Sequence, residues 1–488
     1  MEESHRDRPT AQSGADPPHL PAGDRAAILE LLTQHITGAW ESFERPRPLE
    51  PAIEPDLDAR LQEPLPESSS GIEAVLADAA AVLDASISPT RPLYLGYIGS
   101  TGLDVGVLAN ALAATYDVNL AGTARAADLV ERQALEWLAE FIGYPFAEGA
   151  FTSGGMISNL TAVLAARERA LPGSRRRGLG LGSHAVYCSS EAHHSVIRAV
   201  EAAGLGSDSV RVLGIDERRR LRPDELATAI AADRAAGVVP VAVIANGGTT
   251  LTGAVDPLVP IADITQSEAV WMHIDGAYGL PAAASASHGE LFAGVERADS
   301  VTVDLHKWLG VQKSCSAVLV RHRGTLEATF GHEESYLLRE DDEVPNAVER
   351  TLEYSRPFRS LAPWVAFRVH GARSFRTWIE HTLSLADEFA SMVRADPELE
   401  LLVDPTLSTV CFRHAPADIG EAELDRHNAH LAVEIQRDGQ VFIAPAELDG
   451  RTCLRVCFVN FRTRRRDLVQ ITETVGTLGV ALPRGPDR

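Results

Sequence analysis

The sequence predicts an α/β protein: a mostly parallel sheet covered by helices on both faces, followed by a small α+β domain. From about residue 125, short apolar runs typical of buried strands alternate with helical patterns. Such alternation favours parallel strands joined by crossover helices. After about residue 375 the order changes to a helix, several strands and a last helix, which indicates a second, smaller domain.

The elements follow in chain order. Large-domain strands are predicted at 185–189, 209–214, 240–245, 270–274, 300–303 and 317–321. Large-domain helices are predicted at 104–116, 160–170, 222–235 and 256–267. The small domain is predicted to contain a helix at 375–394, strands near 409–413, 440–443 and 454–460, and a helix at 465–478.

The N-terminal hundred residues differ from the rest. Residues 1–23 are polar and rich in proline and serine, so we expect them to be disordered. Residues 24–100 form a helical segment, with helices at 24–40 and 71–85 around a Pro-rich connector at 46–66. The large domain then spans 101–374 and the small domain 375–488.

Composition excludes several kinds of partner. A chain of 488 residues is too long for one compact core, and its net charge of −23 argues against nucleic acid or an anionic membrane as partner. No apolar run approaches a membrane-spanning length, and the start has no signal pattern. The five cysteines are odd in number and lie in apolar runs, which favours free thiols in the cytoplasm. Cys453 and Cys457 have no matching Cys/His pair nearby, so no metal site is expected.

Reactive side chains follow four of the predicted strands. His193 follows 185–189, Asn246 follows 240–245, Asp275 follows 270–274 and Lys307 follows 300–303. Ligands of open α/β sheets bind where the strands end, at their carboxyl edge. A lysine in such an apolar setting can form a Schiff base. Each residue alone has an ordinary alternative: a loop lysine, a turn aspartate or a core histidine.

A Gly-rich turn adds an anion site. Gly154, Gly155 and Met156 precede the predicted helix at 160–170, and such a turn presents N–H groups and a positive dipole end to a phosphate. The alternative is a plain turn capped by Ser158 or Asn159. The pattern matches neither of the familiar nucleotide-binding fingerprints.

Together these groups meet the needs of pyridoxal 5′-phosphate (PLP). Asp275 can hold the pyridine nitrogen protonated and keep the ring an electron sink. Ala277 leaves room beneath the ring, and His193 can stack on the other face. Lys307 supplies the Schiff base, while Gly154 and its neighbours hold the phosphate.

The motifs resemble those of the group II PLP-dependent amino-acid decarboxylases, the family of aromatic-L-amino-acid, glutamate and histidine decarboxylases. The resemblance rests on the runs VWMHIDGAYG at 270–279 and DLHKW at 304–308, with PLYLGY at 92–97, EAHHS at 191–195 and RPFRSL at 356–361. It extends from about residue 75 to the C-terminus. It implies a fold type I enzyme of the aspartate-aminotransferase kind, an intimate homodimer with shared active sites, and conversion of an L-amino acid to its amine and CO2.

The resemblance also implies roles for single residues. Asn246, Asp304 and His306 join the cofactor site, although Asn246 stands where animal aromatic decarboxylases have threonine and Asp304 replaces an asparagine that helps to hold the phosphate. Tyr97, Ile98 and Ser100 join His193 in the substrate site.

A loop completes the implied active site. Tyr336 supplies or relays the proton that returns to Cα, often across the dimer, from a loop whose polar run at 339–350 is expected to be flexible. His194 is a substrate contact or a surface residue.

Other outcomes stay open at this point. Some family members release an aldehyde by oxidative deamination, often after losing the loop tyrosine or altering the stacking histidine. The presence of Tyr336 and His193 favours the amine. An aminotransferase or an inactive PLP-binding protein is the remaining alternative.

Overall fold

The computed structural model of the protein describes residues 20, 23–44, 51–99, 101–122, 124–332 and 346–482. The chain divides into two compact units, one made of residues 1–46 and 50–87 and the other of 47–49 and 88–488. The predicted disordered stretch 1–23 lies almost entirely outside the described residues. The predicted domain boundaries at residues 100 and 374 stay predictions.

The described residues of the first unit form three helices, α1 (Arg25–Phe43), α2 (Pro55–Leu61) and α3 (Ile72–Asp84). The first and third confirm the helices predicted at 24–40 and 71–85. The second lies inside the predicted Pro-rich connector. It was missed because proline signals a break, whereas Pro55 occupies the first helical position, where its missing N–H costs nothing.

The second unit is built on a seven-stranded sheet in the order β1-β7-β6-β5-β4-β2-β3. β7 pairs antiparallel with β1 and β6, and the other four strand pairs are parallel, so the predicted mostly parallel sheet is confirmed. Its strands are β1 (Glu148–Thr152), β2 (His184–Ser189), β3 (Val210–Leu213), β4 (Val239–Asn246), β5 (Trp271–Asp275), β6 (Ser300–Val303) and β7 (Ser316–Val320).

The helices of this region pack around the sheet and along its flanks. They are α4 (Asp104–Tyr116), α5 (Ala126–Ile142), α6 (Gly155–Ala170), α7 (Ser174–Arg177), α8 (His194–Ala202), α9 (Pro223–Ala235), α10 (Leu258–Ser267) and α11 (Thr325–Phe330). Short 3-10 helices lie at Ser207–Ser209, Leu280–Ala284, Gly289–Phe292, Val295–Arg297 and Ala347–Arg350.

Strand β1 was not predicted, because its sequence EGAFT starts with a charge and a glycine. The Glu148 carboxylate accepts hydrogen bonds from the N–H groups of Gly324 and Leu326, at 2.8 and 2.7 Å, and so caps α11. The buried charge is therefore satisfied by a distant helix, which no local pattern reveals.

The C-terminal region has its own four-stranded antiparallel sheet, in the order β10-β11-β9-β8. Its elements are α12 (Leu361–Ala395), β8 (Leu399–Leu401), β9 (Thr409–His414), α13 (Glu421–Asp438), β10 (Ala444–Leu448), β11 (Arg451–Cys457) and α14 (Arg465–Ala481). The predicted small α+β domain is confirmed in its layout. A kink at Gly371, where φ is +73°, interrupts α12.

Two predictions in this region are wrong in detail. The strand predicted at 440–443 begins later, as β10, and Phe442 instead forms an isolated bridge with Tyr94. Part of the loop predicted to be flexible, 346–350, forms a packed 3-10 turn in which Ala347, Val348 and Glu349 are buried. Its Asn346–Glu349 capping box fixes that turn.

Candidate active site

Carboxyl ends of the central strands surround a cavity of about 170 Å³. The cavity brings together eight of the residues that the sequence singled out: Gly155, Met156, His193, Asn246, Asp275, Ala277, Asp304 and Lys307. Six further residues complete its lining: Asn159, Ser195, Gly248, Thr249, Thr250 and Tyr278. The functional roles assigned to these residues stay predictions.

Lys307 lies in a tight turn directly after β6. Its N–H donates to the Asp304 carbonyl at 3.0 Å, and the Asp304 N–H donates to the Ala277 carbonyl at 3.1 Å. The following Trp308 is fully buried, stacks on Tyr278 with ring centroids 5.2 Å apart, and donates to Thr382. The turn is therefore held by the core, while the lysine side chain keeps 22% of its surface exposed.

The Lys307 amine contacts a carboxylate of its own turn. Lys307 Nζ lies 3.0 Å from Asp304 Oδ2, and His306 Nε2 lies 3.7 Å from the same oxygen. Burial lowers the pKa of His306, which favours its neutral form. Lys307 is therefore the charged partner of Asp304 in this structure.

Asp275 is oriented by a network that runs into α6. Its Oδ2 accepts a hydrogen bond from Asn159 Nδ2 at 2.8 Å, and its Oδ1 accepts from the Ala277 N–H at 3.2 Å. The Asn159 carbonyl oxygen faces His273 Nε2 at 3.1 Å. Because both carboxylate oxygens accept hydrogen bonds, Asp275 is held in one orientation toward the cavity.

His193 is the N-cap of α8. Its Nδ1 accepts a hydrogen bond from the Ser195 N–H at 3.2 Å, so the ring proton of the neutral form lies on Nε2. Burial lowers the pKa of His193, with the Asp275 charge acting in the opposite direction. A neutral imidazole is suited to stack against an aromatic ring that carries its own charge.

Asn246 is tied to a buried carboxylate. Its backbone N–H and its Nδ2 donate to Asp256 Oδ2 at 2.7 and 2.9 Å, and Nδ2 also donates to Ser189 Oγ at 3.0 Å. Burial raises the pKa of Asp256 to about 6. The Asn246 amide nitrogen is thus engaged away from the cavity, and the end of β4 is fixed.

The helix after the Gly-rich turn begins at Gly155, earlier than predicted. Ser158 and Asn159 therefore lie inside α6 and do not cap it, so the capped-turn alternative is wrong. A Cβ on Gly155 would lie 2.9 Å from Asp304 Oδ2 and 3.2 Å from Ala277 Cβ, so only glycine fits. The first N–H groups of a helix lack intrahelical partners and attract anions, which suits a phosphate.

Other predicted residues lie next to the cavity or away from it. Gly154 approaches the His306 ring, with 4.0 Å between its projected Cβ and Cε1, but neither residue lines the cavity. Tyr97 is 55% exposed and packs on Phe442, while Ile98 packs against the main core. Neither lines the cavity. Ser100 and Tyr336 lie outside the described residues.

Sequence reasoning missed six cavity residues: Asn159, Ser195, Gly248, Thr249, Thr250 and Tyr278. Asn159 carried a signal, since an amide in the first turns of a helix after a Gly-rich turn faces the same ligand as the turn. The other five lie beside residues already chosen, in the motifs at 191–195, 246–250 and 275–279. Their orientation depends on turns that have no periodic pattern.

The described residues provide neither a candidate metal site nor a candidate membrane-spanning helix. They contain no group of three or more His, Cys, Asp or Glu side chains that could hold a metal ion. They also contain no helix with the length and apolar character needed to cross a membrane.

The match to a family model identifies the protein family to which this chain and its cavity belong. Residues 55–415 match the model described as the pyridoxal-dependent decarboxylase conserved domain. The chain belongs to this family of decarboxylases. It is therefore a PLP-dependent enzyme that decarboxylates an amino acid, and the residues of its cavity fit that cofactor: an amine, a helix N-terminus and an oriented carboxylate.

Comparison with individual proteins supports the same assignment. This decarboxylase is 32% identical to the aromatic-L-amino-acid decarboxylase of Bacillus atrophaeus over 461 residues, which are 92% of this chain and 93% of that relative. It is 32% identical to the cysteine sulfinic acid decarboxylase of Rattus norvegicus over 374 residues, 74% of this chain and 75% of that one. The crystal structure of Oryza sativa TDC with PLP and tryptamine matches with a TM-score of 0.89 and 26% identity, over 96% of this chain and 99% of that chain. The predicted fold type I is thus confirmed.

Proposed function

We propose that the cavity at the strand ends is where an L-amino acid loses CO2, and that the amine is the product. The observation that carries the proposal is the meeting of Lys307, Asp275 and His193 in one cavity. These residues come from three different strand ends, and each has the chemistry that PLP requires.

The bound cofactor supplies an electron sink for the pair of electrons left at Cα when CO2 departs. Around it, Lys307 provides the amine that anchors the cofactor. Asp275, fixed by Asn159 and the Ala277 N–H, keeps a negative charge where the pyridine nitrogen needs a proton. The first turn of α6, at Gly155 and Met156, would hold the phosphate.

His193 and two peripheral sets of residues complete the proposed site. His193, neutral and with its proton on Nε2, covers one face of the ring and contacts the substrate. Tyr97, Ile98 and Ser100 select the substrate side chain. Tyr336 returns a proton to Cα.

We further propose a homodimer with shared active sites, working in the cytoplasm. Tyr97 is exposed and is not among the residues that line this chain's own cavity, which is consistent with a residue that serves a neighbouring site. All five cysteines are buried and free, which fits a reducing compartment.

A product screen tests this proposal. The purified holoenzyme is incubated with each common L-amino acid while CO2, amine, aldehyde and peroxide are measured together. We expect equal amounts of CO2 and amine from one substrate or a narrow group of substrates. Lys307→Ala is the control and should lose both turnover and the visible absorption of lysine-bound cofactor.

Other outcomes separate the alternatives. Aldehyde with peroxide in the wild-type enzyme would replace the amine assignment by oxidative deamination. Transfer of the amino group to a keto acid without CO2 would overturn the decarboxylase proposal. An unchanged absorption band in Lys307→Ala would refute the role of that lysine.

A further inference from the structure

The Asp304 carboxylate lies beside Gly155, the first residue of α6. Its side chain is 3% exposed, and its two oxygens lie 2.9 and 3.0 Å from the position a Cβ on Gly155 would take. One oxygen, Oδ2, contacts Lys307 Nζ at 3.0 Å. The other, Oδ1, is buried and has no hydrogen-bond partner within the described part of the chain.

A cofactor phosphate bound at the same helix end would lie close to the negative charge of Asp304. The positive end of a helix favours one anion, and two anions in a buried site repel each other unless a cation or a proton lies between them. Lys307 is the only lysine or arginine among the residues described as lining the cavity. When Lys307 anchors the cofactor through its nitrogen, that nitrogen is no longer a free ammonium partner for Asp304.

Other titratable groups near Asp304 do not supply the missing charge. His306 donates from Nδ1 to the Cys315 carbonyl at 2.8 Å, which leaves Nε2 as an acceptor facing Asp304. The longer 3.3 Å contact from the Cys315 N–H would require the other tautomer, and we favour the shorter bond. Burial lowers the pKa values of His306 and His193 and raises that of Cys315, so all three are neutral. Asp275 adds a further negative charge.

We propose that Asp304 takes up one proton from solvent when the cofactor phosphate binds, and meets the phosphate as a neutral acid. An O–H bond forms on Asp304, whose unpartnered Oδ1 is the oxygen free to take the proton, as the corresponding bond to hydrogen breaks in a hydronium ion or buffer acid. The acid then donates to a phosphate oxygen, while Oδ2 remains an acceptor. The inference rests on the proposed role of Lys307 as the cofactor lysine.

The consequence is that cofactor affinity depends on pH through its phosphate. Pyridoxal lacks the phosphate, so its binding should not include this proton. The ratio of PLP affinity to pyridoxal affinity should therefore fall about tenfold for each unit that the pH rises. We expect this change in the affinity ratio above about pH 7.5, where a free phosphate monoester is already a dianion. Lys307 loses its proton in the same way when it binds PLP or pyridoxal, so this proton does not change the ratio of the two affinities.

The test uses the full-length chain freed of cofactor. Calorimetric titration with PLP and with pyridoxal, in two buffers of different ionisation enthalpy, counts the protons taken up. We expect wild type to take up about one proton more with PLP than with pyridoxal. Asp304→Asn keeps the size of the side chain and should show no such difference, together with a flatter pH dependence of PLP affinity.

Each result decides between two ideas. Equal proton counts for wild type and Asp304→Asn, with both forming covalent PLP adducts, would overturn the inference and leave the proposed function intact. Failure of wild type to bind either aldehyde covalently would instead refute the role of Lys307. If Asp304→Asn does not fold, the wild-type ratio of PLP to pyridoxal affinity across pH still tests the inference, since a constant ratio contradicts it.

Discussion

Asn159 links the proposed cofactor site to the interior of the sheet. It donates to Asp275 on one side and faces His273 on the other, and it donates to Ser195 Oγ at 3.1 Å as well. A carboxylate with two oxygens needs such donors to stay in one orientation. Asp275 therefore depends on a residue that lies 116 positions away in sequence.

Replacement of Asn159 by alanine should weaken both the fold and the cofactor site. It removes the Asn159 donor from a buried carboxylate oxygen and the 3.1 Å contact of Asn159 with His273 Nε2, which costs about 1–3 kcal/mol in unfolding free energy. PLP affinity should fall as well, because Asp275 loses its orientation. Urea unfolding and PLP titration measure the two effects.

Ser158→Ala is the matched control. Ser158 lies in the same helix and is buried, but its hydroxyl contacts Thr152 and Ser316, at 2.7 and 2.8 Å, and does not line the cavity. It should lose stability and keep its PLP affinity. If both variants lose affinity equally, the specific role of Asn159 is wrong.

His273 should make the protein sensitive to acid. Burial lowers its pKa from 6.5 to about 4. Between these values the unfolded chain binds a proton that the folded chain does not, so stability falls as the pH drops from 6.5 toward 4. The loss from this residue is at most about 3 kcal/mol.

Comparison of wild type with His273→Gln isolates this contribution. The stability advantage of wild type, measured by urea unfolding, should shrink steadily as the pH is lowered through that window. An advantage that stays constant with pH would show that His273 is not the group responsible.

At the scale of elements, the N-terminus of α6 is the most constrained part of the site. The close approach of Asp304 and Ala277 leaves no room for a side chain on Gly155. Gly155→Ala should therefore displace the Asp304 carboxylate from the helix end and reduce PLP affinity. Absorption titration with PLP measures this loss.

Gly476→Ala in α14 provides the control for the same chemical change. No atom lies within 4 Å of the Cβ that would be added there. Alanine in a helix interior is favoured over glycine by about 0.5–1 kcal/mol, so this variant should be slightly more stable and bind PLP normally. Normal PLP binding by Gly155→Ala would contradict the packing argument.

Elements with a clear period were predictable. The strand at 300–303 and the helix at 104–116 were predicted with their observed bounds, because each has apolar residues at regular intervals and a defined end. Six of the elements that were not predicted are β1, α2, α5, α8, β8 and α13. Among them, β1 and α2 were missed because a distant helix satisfies Glu148 and a proline starts α2 instead of breaking it. The local sequence pattern shows neither the partner of Glu148 nor the helix that begins at Pro55.

The cavity residues likewise divide into those that the sequence could identify and those that it could not. Lys307, Asp275 and His193 were identifiable because strand ends meet at one edge of a parallel sheet. Asn159 was named only as a possible cap, since its contact with Asp275 requires knowing how deeply α6 packs against β5. The ion pair of Asp304 with Lys307 likewise depends on the shape of one turn.

At the scale of the whole molecule, the proposed homodimer can be tested by mixing inactive variants. If Tyr336 acts in the neighbouring active site, hybrid dimers of Lys307→Ala with Tyr336→Ala each contain one intact site. Random reassortment should then restore about a quarter of the wild-type sites. Amine formation after co-expression or refolding together measures this recovery.

The two parent variants, assayed singly, are the controls. A mixture that stays as inactive in amine formation as its parents, although native mass measurement shows hybrids, would place Tyr336 in the same chain as the Lys307 it serves. A protein that is monomeric at working concentration would refute the dimer itself.

The contacts of Trp308 and Tyr278 set an order of events in biosynthesis. The turn that contains Lys307 is held by Thr382 through Trp308, and by Ser408 and Thr409 through the Tyr278 hydroxyl. A chain still on the ribosome lacks these supports until about a hundred residues after the lysine have emerged and folded. If Lys307 anchors the cofactor, we expect cofactor capture to be a late step in the maturation of the nascent chain, and a truncated product that contains the whole lysine motif to be unable to retain PLP firmly.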